Sequence, residues 1–217
     1  AGAAMGRGTL VCEEADACRI DGLEVIWRQV PKTGRRGHYS HRIAFSPDGQ
    51  YLFLSSGDRQ EGDPAQDLSN NLGAVLRLNL DGSPAEGNPF ADRGGVSREI
   101  WSYGHRNALG LQFDLDGRLW DLEHGPRGGD ELNLVEKGRN YGWPVITYGM
   151  NYNGTPITAL TAAPGLEQPV THWTPSIAVC GIDFYTGDRF PAWQGNLLVT
   201  ALAQQHVRRV VIEDGRV

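Results

Sequence analysis

Apolar and polar residues alternate in short runs along this chain, and the runs end in turn residues. Residues 23–30 (LEVIWRQV) alternate with the period of a half-buried strand. Residues 43–57 (IAFSPDGQYLFLSSG) predict two strands across a Pro47-Asp48-Gly49 turn. Residues 74–82 (AVLRLNLDG) predict another strand, closed by Asp81-Gly82. Residues 100–103 read as a short extended piece. The polar stretches 31–41, 58–71 and 83–95, rich in turn formers, read as loops. Residues 1–22 show no usable period and read as an irregular N-terminal segment.

The pattern then repeats. Residues 111–125 (LQFDLDGRLWDLEHG) restate residues 43–57: apolar-x-Phe, a spacer, Asp-Gly, then an alternating strand that ends in glycine. Residues 182–202 are a looser third copy with an insertion. The anchoring residues Phe45, Phe113 and Phe184 fall about 70 residues apart. Residues 75–82 and 207–215 also match each other, as second strand pairs of the same unit. Repeated strand pairs closed by Asp-Gly turns point to a radial array, an all-β β-propeller, ahead of a sandwich with coincidentally similar hairpins. A four-stranded blade takes about 40–50 residues, so this longer repeat implies long loops between strands. Three copies and a leading strand make about three to four blades, fewer than a closed propeller usually has. The expected organisation is therefore an irregular segment 1–22 and a partial propeller domain 23–217, cut from a longer protein at both ends.

Composition adjusts this only slightly. Glycine (29) and proline (12) form nearly a fifth of the 217 residues, which favours short strands over helices. A net charge of −6 with no basic run gives no support for nucleic-acid or anionic-membrane partners. No apolar run approaches the roughly 18 residues of a membrane span, and the N-terminus does not read as a secretory signal. Cys12 and Cys18 either close a small loop in an oxidising compartment or remain free thiols, with Cys180 left over.

The candidate chemistry lies in the loops. His38 and His41 stand just before the first repeat, where an imidazole can act as a general base or simply sit at the surface. Asp58 ends the next strand, placed to bind a hydroxylated substrate, to orient a histidine or to cap its loop. Gln66 and Asp67 follow more weakly. Arg106 offers a planar fork of donors for a carboxylate or a quinone oxygen, and Asn107 adds one donor and one acceptor. Glu123-His124-Gly125-Pro126 and Gly129-Asp130-Glu131 suggest calcium, which takes carboxylates and backbone carbonyls. Residues 140–144 (NYGWP) read as a rigid aromatic turn able to supply one more oxygen.

Taken together, GHYSHRIAF, SSGDRQ, GAVLRLNLDGS, EIWSYGHRNALGL, EHGPRGGDELNLVEKGRNYGWP and EQPV-x-x-W-x-P-S resemble the soluble PQQ-dependent aldose sugar dehydrogenases of the glucose/sorbosone dehydrogenase family. The motifs are collinear from about residue 23 to the end. The resemblance implies a six-bladed propeller with pyrroloquinoline quinone (PQQ) over the channel and calcium (Ca2+) as second cofactor. It implies that His38, in His-x-Ser-x-Arg, takes the proton from the anomeric hydroxyl, with Asp58 near the substrate. It implies that Arg106 and Asn107 contact the quinone, and that Arg106 also stabilises the charge developing on it. Carbonyls of Gly125 and Pro126 would hold the cofactor calcium, and Glu131 and Tyr141 a further one. The implied activity is oxidation of an aldose to a lactone, with electrons passed to an external acceptor, in the periplasm or outside the cell. Two positions depart from the family pattern. His41 stands where glycine is usual, putting a second imidazole near the base, and Ala203 stands where a lysine contacts the quinone. The family's Arg-rich segment has no counterpart in these residues. The lost lysine leaves a non-catalytic extracellular binding module as the alternative reading. A calcium-dependent lactonase would need a closed set of side-chain ligands at one metal, which these motifs do not assemble.

Overall fold

A computed structural model describes residues 1–213 and 216–217. Strands β1 (Ala4–Glu14) and β2 (Ala17–Arg28) form a hairpin. Strands β3 (Ser40–Phe45), β4 (Tyr51–Ser56), β5 (Ala74–Asn79) and β6 (Ile100–Tyr103) make a four-stranded antiparallel meander. A second meander holds β7 (Ala108–Phe113), β8 (Leu119–Glu123), β9 (Asp130–Leu134) and β10 (Thr171–Trp173). A three-stranded sheet of β11 (Val179–Phe184), β12 (Leu197–Ala201) and β13 (His206–Val210) follows. The leading strands β3, β7 and β11 pack side by side. The sheets therefore fan out from a shared inner line, as propeller blades do.

The repeat motif builds this geometry twice over. In the first hairpin Asp48 accepts from the Gln50 amide at 3.0 Å, and Gly49 turns the chain at φ +70°. In the second, Asp114 accepts from the Asp116 amide at 3.0 Å, and Gly117 turns at φ +79°. Only glycine adopts that region without cost. The apolar half of each alternation is spent between blades. Ala44, Phe53 and Val75 of the first meander pack against Leu111 and Leu119 of the second. Trp120, Leu122 and Leu132 pack against Val179, Leu197 and Val199 of the third sheet. Met5 and Trp27 of the hairpin close on Leu52, Leu76 and Ile100.

Three expectations need correction. Residues 1–22 are not irregular. β1 and β2 are long strands whose residues are almost all exposed, so no buried periodicity marks them; cross-strand pairing and a Cys12–Cys18 disulfide across the hairpin tip define them instead. The 130–131 acids are not in a loop: they open β9, with Glu131 opposite Glu123 of β8. Finally, the matching stretches near 75–82 and 207–215 are third strands of their sheets, β5 and β13, rather than second pairs; residues 214–215 lie outside the described residues.

Candidate active site

A cleft of about 970 Å³ opens at the loop end, lined among others by His38, Asp58, Gln66, Arg106, Pro126 and Trp143. Its volume suits a small cofactor with a substrate. His38 and Asp58 meet there, with His38 Nδ1 at 2.6 Å from Asp58 Oδ1. Asp58 is buried, and both its oxygens are engaged: Oδ1 also accepts the Gln60 amide at 2.8 Å, and Oδ2 accepts Trp143 Nε1 at 2.8 Å. Each such bond to a charged acceptor contributes about 1.5–3 kcal/mol, enough together to hold a carboxylate out of water. Of the roles open to Asp58, orienting the histidine is the one this geometry builds. A carboxylate at Nδ1 places the proton on that nitrogen and leaves the Nε2 lone pair for chemistry.

Arg106 lines the same cleft. Its Nη1 donates to the His124 carbonyl, its guanidinium lies 5.3 Å from the Trp143 ring, and its buried Nε has no partner among the described residues. Asn107 is buried next to it but does not line the cleft. Its Oδ1 accepts from the Ser40 amide at 3.2 Å and from Ser40 Oγ at 3.1 Å, tying the Arg106-Asn107 turn to the His38 loop.

Behind Arg106 lies a narrow recess, lined by Glu123, His124, Gly125, Pro126, Glu131 and Tyr141. The four expected calcium residues therefore converge on one place, but the acids beside them do other work. Glu123 Oε2 accepts the amides of Arg106 (2.6 Å) and Asn107 (3.1 Å), fixing that turn from below. Asp130 accepts from Gly125 N at 2.9 Å, Ser176 Oγ at 2.8 Å and Ile177 N at 2.8 Å, so both its oxygens are engaged in joining two loops. The Tyr141 hydroxyl is likewise spent, donating to the Leu134 carbonyl and accepting the Glu136 amide, so only its main-chain oxygen is available. Glu131 has a single long contact, to Asn133 Nδ2 at 3.4 Å, and burial plus the Glu123 charge push its carboxyl up to about 8. The buried carbonyls of Gly125 and Pro126 accept no hydrogen bond among the described residues. Buried oxygens without donors beside a poorly compensated carboxylate suit a hard cation.

A buried charge cluster, unmarked in the sequence, lies behind the recess. His105 Nδ1 lies 2.9 Å from both Asp121 Oδ2 and Glu123 Oε1, and its Nε2 meets Ser102 Oγ at 2.8 Å. All three groups are buried. Burial opposes protonation, but the two carboxylates overcome it and hold His105 up to about 10. With no ion between them, its positive charge neutralises the two acids; the three side chains also converge closely enough, with ligand atoms within 4.8 Å of one another, to hold a metal. The strand alternation of β8, which sends Asp121 and Glu123 to the same side, was the available signal.

Of the remaining expected positions only Gln66 lines the cleft. His41 does not crowd the base. It packs 5.9 Å from the Trp27 ring and 6.1 Å from Tyr39, and burial and the charge of Arg59 lower it to about 4. Asp67 caps its own turn through Ser69, whereas Gln66 reaches across to the Trp143 carbonyl at 2.7 Å and to Asn140. Ala203 lies in the β12–β13 turn and does not line the cleft.

Radially packed antiparallel sheets, with a carboxylate-oriented imidazole, a buried guanidinium and unclaimed carbonyls on loops at one end, define a β-propeller with a polar ligand site. The chain belongs to the Glucose / Sorbosone dehydrogenase family, whose model matches residues 1–217. It is 40% identical over its full length to aldose sugar dehydrogenase YliI of Escherichia coli, of which it covers 60%. A crystal structure of a glucose dehydrogenase superposes with TM-score 0.93 at 41% identity, over 99% of this chain and 62% of the other. The PQQ-bound aldose sugar dehydrogenase of Streptomyces coelicolor gives 0.72 at 30% identity, over 91% and 52%. The chain thus spans about 60% of the length of the first of these relatives.

Proposed function

We propose that the protein oxidises aldose sugars at C1 to lactones, with PQQ and calcium as cofactors. The observation that carries this reading is the His38–Asp58 pair facing a cleft that it shares with Arg106. When bound in this cleft, PQQ would supply the hydride acceptor, and calcium held by the recess would supply polarisation of the quinone. His38 Nε2 takes the proton of the anomeric hydroxyl, and Asp58 keeps the other nitrogen protonated and the ring aimed. Arg106, with its unpartnered Nε, supplies positive charge where negative charge grows. Asn107 steadies the Arg106 turn against the His38 loop. Carbonyls of Gly125, Pro126 and Tyr141, with the Glu131 carboxylate, are the oxygens that would hold calcium. The Cys12–Cys18 bond supports a periplasmic or secreted location, where disulfides persist.

The test is reconstitution of the full-length protein with PQQ and calcium, followed by aldose-dependent reduction of an artificial electron acceptor. Dye reduction that requires both cofactors is the expected result. A folded protein that binds no PQQ would refute the reading.

A further inference from the structure

Arg59 is fully buried, yet no carboxylate lies within ion-pair distance of it among the described residues. Its donors go to neutral oxygens instead. Nε donates to the Gly37 carbonyl at 2.9 Å, Nη1 to Gln29 Oε1 at 3.0 Å, and Nη2 to the Arg35 carbonyl. The guanidinium also lies over the Tyr39 ring, 3.6 Å from its centre. A buried cation without an anion is costly, and most of its compensation here comes from one loop, with Gln29 and the Ala1 carbonyl (3.5 Å) supplying the rest. The groups that satisfy it on that loop, at positions 35, 37 and 39, bracket His38.

The backbone supplies an independent observation. His38 (φ 48°), Ser40 (φ 56°) and His41 (φ 63°) are left-handed, and so are Arg59 (φ 57°) and Gln60 (φ 64°) on the facing segment. Such conformations in non-glycine residues persist only where the surroundings over-determine them, and they gather at functional sites. The two segments also touch: a Cβ on Gly57 would lie 2.1 Å from the His38 carbonyl oxygen. Asp58 and Arg59 are thus adjacent residues with complementary targets, the ring of His38 and the backbone around it.

We propose that Arg59 is a positioning residue for the base. It locks residues 35–39 in the strained conformation that aims His38 into the cleft. This deepens the sugar-dehydrogenase reading and rests on it for the role of His38. The test uses the full-length protein with Arg59→Lys, which keeps the charge but cannot bridge two carbonyls and a ring. In the enzyme loaded with PQQ and calcium, kcat should fall about 10–100-fold, as expected for a misplacement of about 1 Å. The sugar KM and the PQQ affinity, the latter from an absorbance titration, should stay within about twofold of native. In the apo-protein, the proton NMR signal of His38 Nδ1–H, identified by its loss in His38→Ala, should broaden or vanish in Arg59→Lys. A kcat within about twofold of native overturns the proposal, and so does a fall in kcat matched by an equal fall in PQQ affinity. If the native enzyme oxidises no aldose, the sugar reading fails on its own, and the apo-protein signal alone decides: unchanged in the variant, it overturns the positioning role. Should Arg59→Lys not fold, Tyr39→Leu removes the ring and leaves the buried hydrogen bonds. The same measurements then apply, with an expected kcat loss of about 3–10-fold.

Discussion

The cleft and the recess behind it are built from the same kind of loop, yet their charge is balanced in opposite ways. In the cleft the buried carboxylate, Asp58, meets donors from His38, Trp143 and Gln60, so it is satisfied without any ligand, while the Glu61 and Asp63 side chains that also line it are exposed to water. At the recess Glu123 shares the His105 imidazolium with Asp121 behind it, and Glu131, with one long contact to Asn133, is left under-compensated. The contrast teaches what each region waits for. The cleft is preorganised around a histidine and wants a substrate. The recess carries a carboxyl whose charge burial disfavours and carbonyls that accept no hydrogen bond, the oxygens proposed above for a cation. Arg106, Pro126 and Trp143 line both, so the two demands meet at those side chains.

Breaking the cleft should cost turnover and spare cofactor binding. His38→Ala should lower kcat by about 10²–10⁴-fold with PQQ affinity little changed, because it removes only the proton acceptor; steady-state kinetics alongside a cofactor titration check this. Breaking the frame of the recess should cost stability. Asp130→Ala strands the amides of Gly125 and Ile177 and should destabilise by about 3–5 kcal/mol in a denaturant titration. A smaller change, Glu131→Gln, should weaken calcium about 10–100-fold by calorimetry while leaving the His38–Asp58 pair intact. Equal loss of calcium affinity in His38→Ala would erase the distinction between the two regions.

The mildest test uses pH. His41 is held at about 4 against 6.5 when free, so it is neutral in the fold and takes up a proton more readily on unfolding. Its contribution to stability is therefore complete above about 6.5 and is lost as pH falls towards and through about 4. A His41→Phe variant should flatten that part of the curve of unfolding free energy against pH, by an amount on the order of 3 kcal/mol at its acid end. No change in slope would show that His41 is not the buried neutral group described.

Much of the fold could be read from the chain because its causes are local. The Asp-Gly turns at Gly49 and Gly117 and the alternation on either side need no tertiary partner, and the repeat pointed to a radial array. Of the β1–β2 hairpin only the second half of β2 was read, from the alternation of residues 23–30; the rest escaped because it buries almost nothing, so no pattern of burial was written into it. β9 escaped because two acids at its start look like a loop until Ser176, Ile177 and Gly125 are seen to satisfy Asp130. At the site, His38, Asp58 and Arg106 were legible as residue types at strand ends. Asn107 and Tyr141 were legible as positions, but the direction their polar atoms face was not.

The sequence by itself determined which residues turn, which alternate, and which family pattern the loops follow, since these depend on backbone preference and near neighbours. Tertiary structure alone decided how charge is shared. Asp58 became an orienter, Glu123 an anchor for two amides, and Arg59 a buried clamp because partners distant in the chain, or on facing segments, supply the donors and acceptors. Such pairing is a property of three-dimensional proximity in a low-dielectric interior, where each unmet charge is costly, and no local pattern encodes it.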